Sequence, residues 1–185
     1  MHILDELQQH GTTIILVTHH RDEFVNADRI IRLDNGRIVQ SARGNTASIP
    51  EMDESDTAQE DNPIAKSNIA NGALKPTSAV PIIEIRNLIY QYPNSSKPVL
   101  DKLSITINKG ETVAITGHNG AGKTTLARLL CALDQPQSGN ITINTIPVAR
   151  QRANGNMQSL KRADREKLRA TIGYVMQHPE RQLFA

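Results

Sequence analysis

The sequence predicts an α/β fold in which a parallel sheet packs against helices, and three observations point to it. Residues 12–17 and 111–116 are apolar runs rich in β-branched side chains. Such runs are typical of strands buried on both faces of a parallel sheet. Residues 125–133 have the apolar spacing of a helix. Aromatic residues make up only 3% of the chain, so the core must consist of Ile, Leu, Val and Ala.

Composition limits the class of protein. The 185 residues are 38% hydrophobic and 22% charged, with a net charge of +2, which is the balance of a globular protein. No run approaches the roughly 18–20 apolar residues that cross a bilayer, so we predict no transmembrane segment in this sequence. The amino terminus lacks the pattern of a secretory signal. The single Cys131 cannot form an internal disulfide, and it is predicted to be a small buried hydrophobic residue in a reducing, cytosolic setting.

The most specific motif begins at Gly117. Residues 117–125 read GHNGAGKTT, which matches G-x-x-x-x-G-K-[ST] between a predicted strand and a predicted helix. Such a turn directs backbone N–H groups at phosphate oxygens, and side chains would obstruct that approach. The motif predicts a P-loop NTPase fold. In this pattern Lys123 reaches the β- and γ-phosphates, and the Thr124 hydroxyl is placed to ligate Mg²⁺. The predicted nucleotide-binding residues are Gly117, His118, Asn119, Gly120, Ala121, Gly122, Lys123, Thr124 and Thr125.

Residues 1–41 have the pattern of the end of a domain. They predict a helix at 2–10 closed by Gly11, a strand at 12–17, a short helix at 21–27 and a hairpin that turns on Asn35-Gly36. A strand of the buried type therefore follows a single short helix, with no earlier strand to lie beside it. We expect residues 1–41 to be the carboxy-terminal piece of a first domain.

Residues 42–80 lose this periodicity and are rich in Ser, Asn, Asp, Glu, Thr, Ala and Pro. Six acids and no base occur between Glu51 and Asp61. This composition predicts a disordered linker, with an acidic docking tail as the alternative. Residues 81–185 then begin a second domain, with further strands predicted at 82–90, 103–108, 140–144 and 171–176.

Residues 150–169 contain seven bases and two acids, which predicts a helix or loop at the surface. Clustered bases also suit nucleic acid, because binding to phosphates releases counterions. No aromatic residue is interleaved with them, so a solvated insertion is favoured and a nucleic-acid partner is not expected.

Apart from the linker, the chain resembles the nucleotide-binding domains of ABC transporters. In the second half the resemblance rests on Tyr90-Gln91-Tyr92-Pro93, the 117–125 motif, LDQPQSG at 133–139 and GYVMQ at 173–177. In the first half it rests on VTH at 17–19, ADRIIRL at 27–33 and DNGRIV at 34–39. Residues 177–185 are similar to the glutamine loop of the cobalt-type or energy-coupling-factor branch, whose members power uptake of vitamins and metal ions and include fused double-ATPase chains.

This resemblance implies the end of one ATPase copy, a linker and the start of a second copy. The second copy would have a parallel core sheet and an antiparallel β-subdomain, and both copies would be incomplete. Tyr92 would stack on adenine, with Tyr90 as the fallback. Gln177 would sense Mg²⁺ and the attacking water, so Thr124 and Gln177 are the candidate Mg²⁺ ligands. His19 would be the switch histidine at the γ-phosphate. A lone His or Gln after a strand is otherwise unremarkable, so both assignments rest on the resemblance.

The implied cofactors are ATP and Mg²⁺. The implied partners are membrane-spanning transporter subunits and a second ATPase domain in a head-to-tail dimer, at the cytoplasmic face of the plasma membrane. Two motifs of the family have no match: the Leu-Ser-Gly-Gly-Gln signature loop and the paired acids after an apolar strand. Without those acids no carboxylate is available to position water. We therefore expect weak ATP binding and no turnover by this chain alone.

Two alternatives remain open. One is a P-loop GTPase or small-molecule kinase, although the chain lacks the Asn-Lys-x-Asp motif that recognises guanine in GTPases. The other is a non-transport ABC ATPase that acts on nucleic acid or translation. In the fold of the family that the chain resembles, the strand that ends in the switch histidine lies beside the P-loop strand. We therefore expect residues 12–17 to pair in parallel with residues 111–116 as a permuted half-domain. That arrangement would bring His19 within about 15 Å of Lys123 at a shared phosphate site.

Overall fold

The computed structural model describes residues 2–18, 26–43, 80–158 and 160–175. The elements in these ranges are α1 (His2–Gln9), β1 (Ile14–Val17), β2 (Arg29–Asp34), β3 (Arg37–Arg43), β4 (Pro81–Tyr90), β5 (Leu100–Asn108), β6 (Thr112–Thr116), α2 (Lys123–Leu130), β7 (Ser138–Ile143), β8 (Ile146–Gln151), β9 (Met157–Gln158) and α3 (Arg162–Thr171).

Among the described residues, four strands form a sheet in the order β1-β6-β2-β3. Strand β6 lies between β1 and β2 and is parallel to both. Ile14 of β1 is opposite Thr112, and Val17 is opposite Ile115. The predicted parallel pairing of residues 12–17 with residues 111–116 is therefore confirmed. Both neighbours of β6 come from the amino-terminal segment, so that segment completes the sheet.

The β2–β3 hairpin forms where the sequence predicts it. Asn35 and Gly36 adopt φ values of 45° and 74°, as a two-residue turn between twisted strands requires. The strands pair antiparallel from Asp34–Arg37 at the turn to Arg29–Arg43 at the far end. Strand β3 thus extends beyond residue 41, where the linker was expected to begin. The remainder of the predicted linker, residues 44–79, lies outside the described residues. So does the predicted helix at 21–27, except for residues 26 and 27, which are not helical.

The other described strands form a second sheet in the order β5-β4-β7-β8-β9. All of its pairings are antiparallel. The sequence predicted β4, β5 and β7 but not β8 and β9. Strand β8 contains Pro147 and Arg150, which weaken the signal of a strand.

The larger hydrophobic cluster in the described residues draws on both parts of the chain. Ile31 and Leu33 of β2 pack in one cluster with Leu100, Ile115 and Leu126. All five residues of β6 are buried. The first 43 residues and the later ones therefore share a core, although they are far apart in sequence.

Polar contacts also connect the amino-terminal segment to β6, at the end of β6 opposite the Gly117 loop. Arg29 Nε lies 2.9 Å from Glu111 Oε1, and both side chains are largely buried. Burial lowers the pKa of Arg29, and the neighbouring carboxylate opposes that shift. Asp28 Oδ2 accepts a hydrogen bond of 2.8 Å from the Thr112 N–H. Thr13 Oγ1 accepts one of 2.9 Å from the Gly110 N–H.

Three predictions need correction. Residues 171–176 were expected to form a strand, but α3 continues to Thr171 and residues 172–175 are irregular. Leu168 anchors the end of this helix in the core, and the Thr171 hydroxyl donates to the Lys167 carbonyl at 2.6 Å. Cys131 is half-buried just after α2, rather than fully buried. Strand β1 was expected to be buried on both faces, yet Val17 is exposed.

Candidate nucleotide-binding site

The 117–122 loop connects the end of β6 to the start of α2. Gly117, Gly120 and Gly122 have φ values of 145°, 87° and 99°. Residues with a side chain rarely adopt this region, so the glycines allow the loop to curl. Helix α2 begins at Lys123, directly after Gly122. Its first-turn N–H groups have no carbonyl partner within the helix, which makes this end suitable for an anion.

The glycines are also required by packing on the outer side of the loop. A Cβ on Gly117 would lie 2.3 Å from the Leu33 carbonyl oxygen, and a Cβ on Gly122 would lie 2.9 Å from the Val99 carbonyl oxygen. A Cβ on Gly120 would meet nothing within 4 Å. The sequence argument assigned these glycines to phosphate approach. Two of the three are needed in addition because the protein backbone passes close behind them.

Lys123 folds back over the loop. Its Nζ donates hydrogen bonds of 2.7 Å to the Gly117 carbonyl and 2.9 Å to the His118 carbonyl. Burial lowers the pKa of Lys123, because the charged ammonium loses water. The ammonium can exchange these two carbonyl acceptors for phosphate oxygens, so the residues present fit a phosphate group. Thr124 lies exposed in the first turn of α2, and its role as a Mg²⁺ ligand stays a prediction.

Tyr92 lies beside the start of α2. Its hydroxyl is 3.0 Å from Thr125 Oγ1, and its ring meets Tyr90 edge-on at 5.0 Å between centroids. Tyr92 is 39% exposed and Tyr90 is 7% exposed. Desolvation accordingly raises the pKa of Tyr90. The geometry favours Tyr92 over the fallback, Tyr90, as the ring with a face available to a base.

Two hydrogen bonds hold the segment that carries Tyr92, and an ion pair joins α2 to the chain that follows it. Gln137 accepts from the Gln91 N–H at 2.8 Å and donates to the Gln91 carbonyl at 2.9 Å. Arg128 of α2 forms a bidentate ion pair with Asp134: Nε donates to Oδ2 at 2.6 Å and Nη2 donates to Oδ1 at 3.0 Å. This pair raises the pKa of Arg128 and lowers the pKa of Asp134, chiefly through the hydrogen bonds between them. Gln137 therefore fixes the segment next to Tyr92, and the Arg128–Asp134 pair fixes the end of α2.

The β2–β3 turn closes the outer side of the loop. Asp34 Oδ1 lies 2.8 Å from His118 Nε2, and the Gly36 N–H donates to the Ala121 carbonyl at 3.2 Å. The sequence identified His118 as a loop residue but gave no signal for Asp34. The two residues are 84 positions apart, and only the pairing of β2 with β6 brings them together.

His19 and Gln177 lie outside the described residues, so their predicted roles and the His19–Lys123 distance remain predictions. The last described residue before His19 is Thr18, whose N–H donates to the Ile115 carbonyl at 3.2 Å. Strand β1 therefore ends beside the carboxy-terminal end of β6, directly before the Gly117 loop. Within the described ranges, the helices are too short to cross a bilayer.

A sequence model of the ABC transporter family matches residues 100–185, which include the whole 117–125 motif. An ABC transporter ATP-binding protein of Bifidobacterium longum (strain NCC 2705) is 42% identical over 100% of this chain and 27% of its own length. A protein of Methanosarcina mazei with the same description is 30% identical over 98% of this chain and 32% of its own length.

The energy-coupling factor transporter ATP-binding protein EcfA1 of Latilactobacillus sakei (strain 23K) is 42% identical over 55% of this chain and 32% of its own length. The chain thus spans about a third or less of the length of these relatives. The predicted P-loop NTPase fold of the ABC type is confirmed. Residues 100–185 therefore carry sequence of the ATP-binding domain of the ABC transporter family.

Proposed function

We propose that residues 117–125 bind the triphosphate of Mg·ATP. The observation that carries this proposal is the position of the Lys123 ammonium, between two loop carbonyls at the start of α2. An incoming phosphate would replace those carbonyls as partners of the ammonium. Its oxygens would also accept hydrogen bonds from the first-turn N–H groups of α2. Thr124 supplies a hydroxyl to Mg²⁺, and Gln177 is the second proposed ligand.

The adenine base stacks on Tyr92 in this proposal. The ring lies at the α2 side of the loop and retains an open face, whereas Tyr90 is enclosed. Stacking of a base on an aromatic ring contributes about 1–3 kcal/mol and is tolerant of base identity. The ring therefore adds affinity, while discrimination between ATP and GTP requires other contacts.

At the level of the whole protein, we propose an ATP-binding component of an energy-coupling-factor importer for a vitamin or metal ion. Support comes from the EcfA1 relative and from the glutamine-loop sequence at residues 177–185. Its partners would be membrane-spanning transporter subunits and a second ATPase domain, at the cytoplasmic face of the plasma membrane. The membrane subunits would select the substrate.

We further propose that this chain alone does not turn over ATP. No apolar run in the sequence ends in the paired acids that hold Mg²⁺ and orient water in the family. His19 would support hydrolysis at the γ-phosphate only in a site that also contains those acids. Steady release of phosphate by the purified chain, at the rate of intact relatives, would contradict this proposal.

Titration of the purified chain with Mg·ATP by calorimetry tests the binding proposal. We expect Lys123→Ala to weaken binding at least tenfold, because the ammonium is the nearest side-chain cation to the phosphates. Lys109→Ala is the matched control, since Lys109 is an exposed lysine at the opposite end of β6 and should leave affinity unchanged. Equal affinity of Lys123→Ala and the unaltered chain would refute the proposal.

A second pair of variants tests the base site. Tyr92→Ala should weaken Mg·ATP binding about fivefold or more, because it removes the stacking surface. Tyr92→Phe keeps the ring and loses only the hydrogen bond to Thr125, so it should stay within about threefold. If Tyr92→Ala binds as tightly as Tyr92→Phe, the base lies elsewhere.

A further inference from the structure

The β2–β3 turn contacts the phosphate-binding loop at three successive points. The Leu33 carbonyl passes so close to Gly117 that a Cβ there would lie 2.3 Å away. Asp34 Oδ1 lies 2.8 Å from His118 Nε2. The Gly36 N–H donates to the Ala121 carbonyl. The turn therefore follows the outer side of the loop from its first residue to its fifth.

The middle contact is the only one of the three made by side chains. The Asn35 side-chain amide donates to Asp34 Oδ1 at 3.2 Å, which orients the carboxylate. His118 Nδ1 lies 2.6 Å from the Asn119 carbonyl, so each ring nitrogen faces an oxygen acceptor. The ring is thus held on its Nε2 side by Asp34 and faces the Asn119 carbonyl on its Nδ1 side.

The same residue is connected to the phosphate-binding lysine through its backbone. The His118 carbonyl accepts one of the two Lys123 hydrogen bonds. A change in the His118 backbone would therefore move a partner of the ammonium as well as the neighbouring loop amides. His118 is therefore the link between Asp34 and Lys123.

We propose that Asp34 is a positioning residue for the phosphate-binding loop: by holding the His118 ring, it keeps residues 118–121 in the conformation that receives phosphate. This inference rests on the proposed function and deepens it, because it gives the amino-terminal segment a part in nucleotide binding.

The first test is the affinity for Mg·ATP. Asp34→Ala should weaken binding about threefold to tenfold, which is the range for the loss of one side-chain hydrogen bond. Asp34→Asn keeps an acceptor oxygen at the same position and should recover most of the affinity. Arg37→Ala is the control, because it removes an ion pair of the same hairpin, to Asp101, that does not touch the loop. Asp34→Ala with unchanged affinity, or Arg37→Ala with an equal loss, would overturn the proposal.

The second test asks whether Asp34 works through His118. In a His118→Ala background, the added Asp34→Ala substitution should change affinity by less than about twofold, since its partner is already gone. If the two losses multiply instead, Asp34 acts by another route and the proposal fails.

The third test separates this proposal from the proposed function. Amide hydrogen exchange of residues 117–122, measured without nucleotide, should be about threefold faster or more in Asp34→Ala and unchanged in Arg37→Ala. If the unaltered chain binds no Mg·ATP, the proposed function fails, and this exchange measurement still decides the role of Asp34. Equal exchange in Asp34→Ala and the unaltered chain would refute that role.

Discussion

The two parallel neighbours of the central strand differ in a way that their sequences do not suggest. Strand β1 reads IILV and β2 reads RIIRLD, so β1 is the more apolar. Yet Ile31 and Leu33 of β2 are 1% and 0% exposed, while Val17 of β1 is 39% exposed. In the described residues β1 has a single hydrogen-bonded neighbour, whereas β2 lies between β6 and β3.

This difference shows that position in the sheet, more than apolar content, determines burial. Strand β2 places Ile31 and Leu33 in the main core with residues of β5 and α2, and it places Arg29 beside Glu111 at its start. Strand β1 reaches the main core with Ile15, while Leu16 packs in a small separate cluster of Ala27, Ile30 and Ala114. The amino-terminal segment is thus attached mainly through β2.

The largest expected effect concerns the buried ion pair that anchors β2. Arg29→Glu should lower the free energy of unfolding by about 3–5 kcal/mol, because it places two carboxylates together in a largely buried site. The double variant Arg29→Glu with Glu111→Arg should recover part of this loss. Urea unfolding followed by circular dichroism gives the values. Arg37→Glu, at the exposed pair with Asp101, is the control and should cost less than about 1 kcal/mol.

If Arg29→Glu costs no more than Arg37→Glu, the anchor of β2 is not this ion pair. A double variant no more stable than Arg29→Glu would indicate that the site accepts only the original orientation of the two charges.

The next effect compares one residue type on the two strands. Leu33→Ala should cost about 3–4 kcal/mol, because it opens a cavity in the main core. Leu16→Ala should cost about 1 kcal/mol, since Leu16 is only partly buried. Thermal and urea unfolding of both variants measure the difference. Equal losses would mean that β1 carries as much stability as β2 and would contradict the comparison.

An intermediate effect is expected from the Arg128–Asp134 pair, which lies wholly within residues 80–175 and serves as a reference for the β2 anchor. Asp134→Asn should cost about 1 kcal/mol at pH 7, because the pair is only partly buried. The pKa of Asp134 is lowered in the folded protein, so its carboxylate stabilises the fold fully above its ordinary pKa of 3.8. This stabilisation is lost as the pH falls through the lowered folded pKa.

Urea unfolding of the unaltered chain and Asp134→Asn, from pH 7 down to about pH 2, measures this dependence. The two curves should converge at the acid end. A difference that stays constant over the whole range would show that the carboxylate charge is not the source of the stability.

The smallest effect is expected at the edge of the sheet. Val17→Lys should change the free energy of unfolding by less than about 0.5 kcal/mol, because the long side chain can remain in water. Val113→Lys, in the buried central strand, is the matched variant and should prevent stable folding. Differential scanning fluorimetry separates these outcomes. Severe destabilisation by Val17→Lys would mean that the β1 edge is covered in solution.

Several parts of the fold were predictable because a local residue pattern determines them. Asn35-Gly36 predicts its hairpin, Gly11 ends a helix with a φ of 81°, and the 117–125 motif predicts the strand, loop and helix around it. The parallel pairing of β1 with β6 was also predicted, from the need of both apolar strands for a neighbour.

Other features depend on distant contacts and could not be predicted in this way. The exposure of Val17 depends on which strands lie beside β1. The contact between Asp34 and His118 depends on the register of β2 against β6. Residues 171–176 have the apolar pattern of a strand, but the packing of Leu168 extends the preceding helix to Thr171. The roles of His19 and Gln177 stay predictions.

Gly36 has a consequence that concerns energetic linkage. Its N–H donates to the Ala121 carbonyl, its own carbonyl accepts from the Asp101 N–H, and a Cβ at this position would lie 2.2 Å from the Val99 carbonyl oxygen. A single turn residue thus joins the hairpin, the phosphate-binding loop and the start of β5. A ligand that binds the loop more tightly when the hairpin is in place must stabilise the hairpin contacts by the same factor, because linkage is reciprocal. Under the proposed function, Mg·ATP would be such a ligand, and its binding would strengthen the attachment of the hairpin to the rest of the chain.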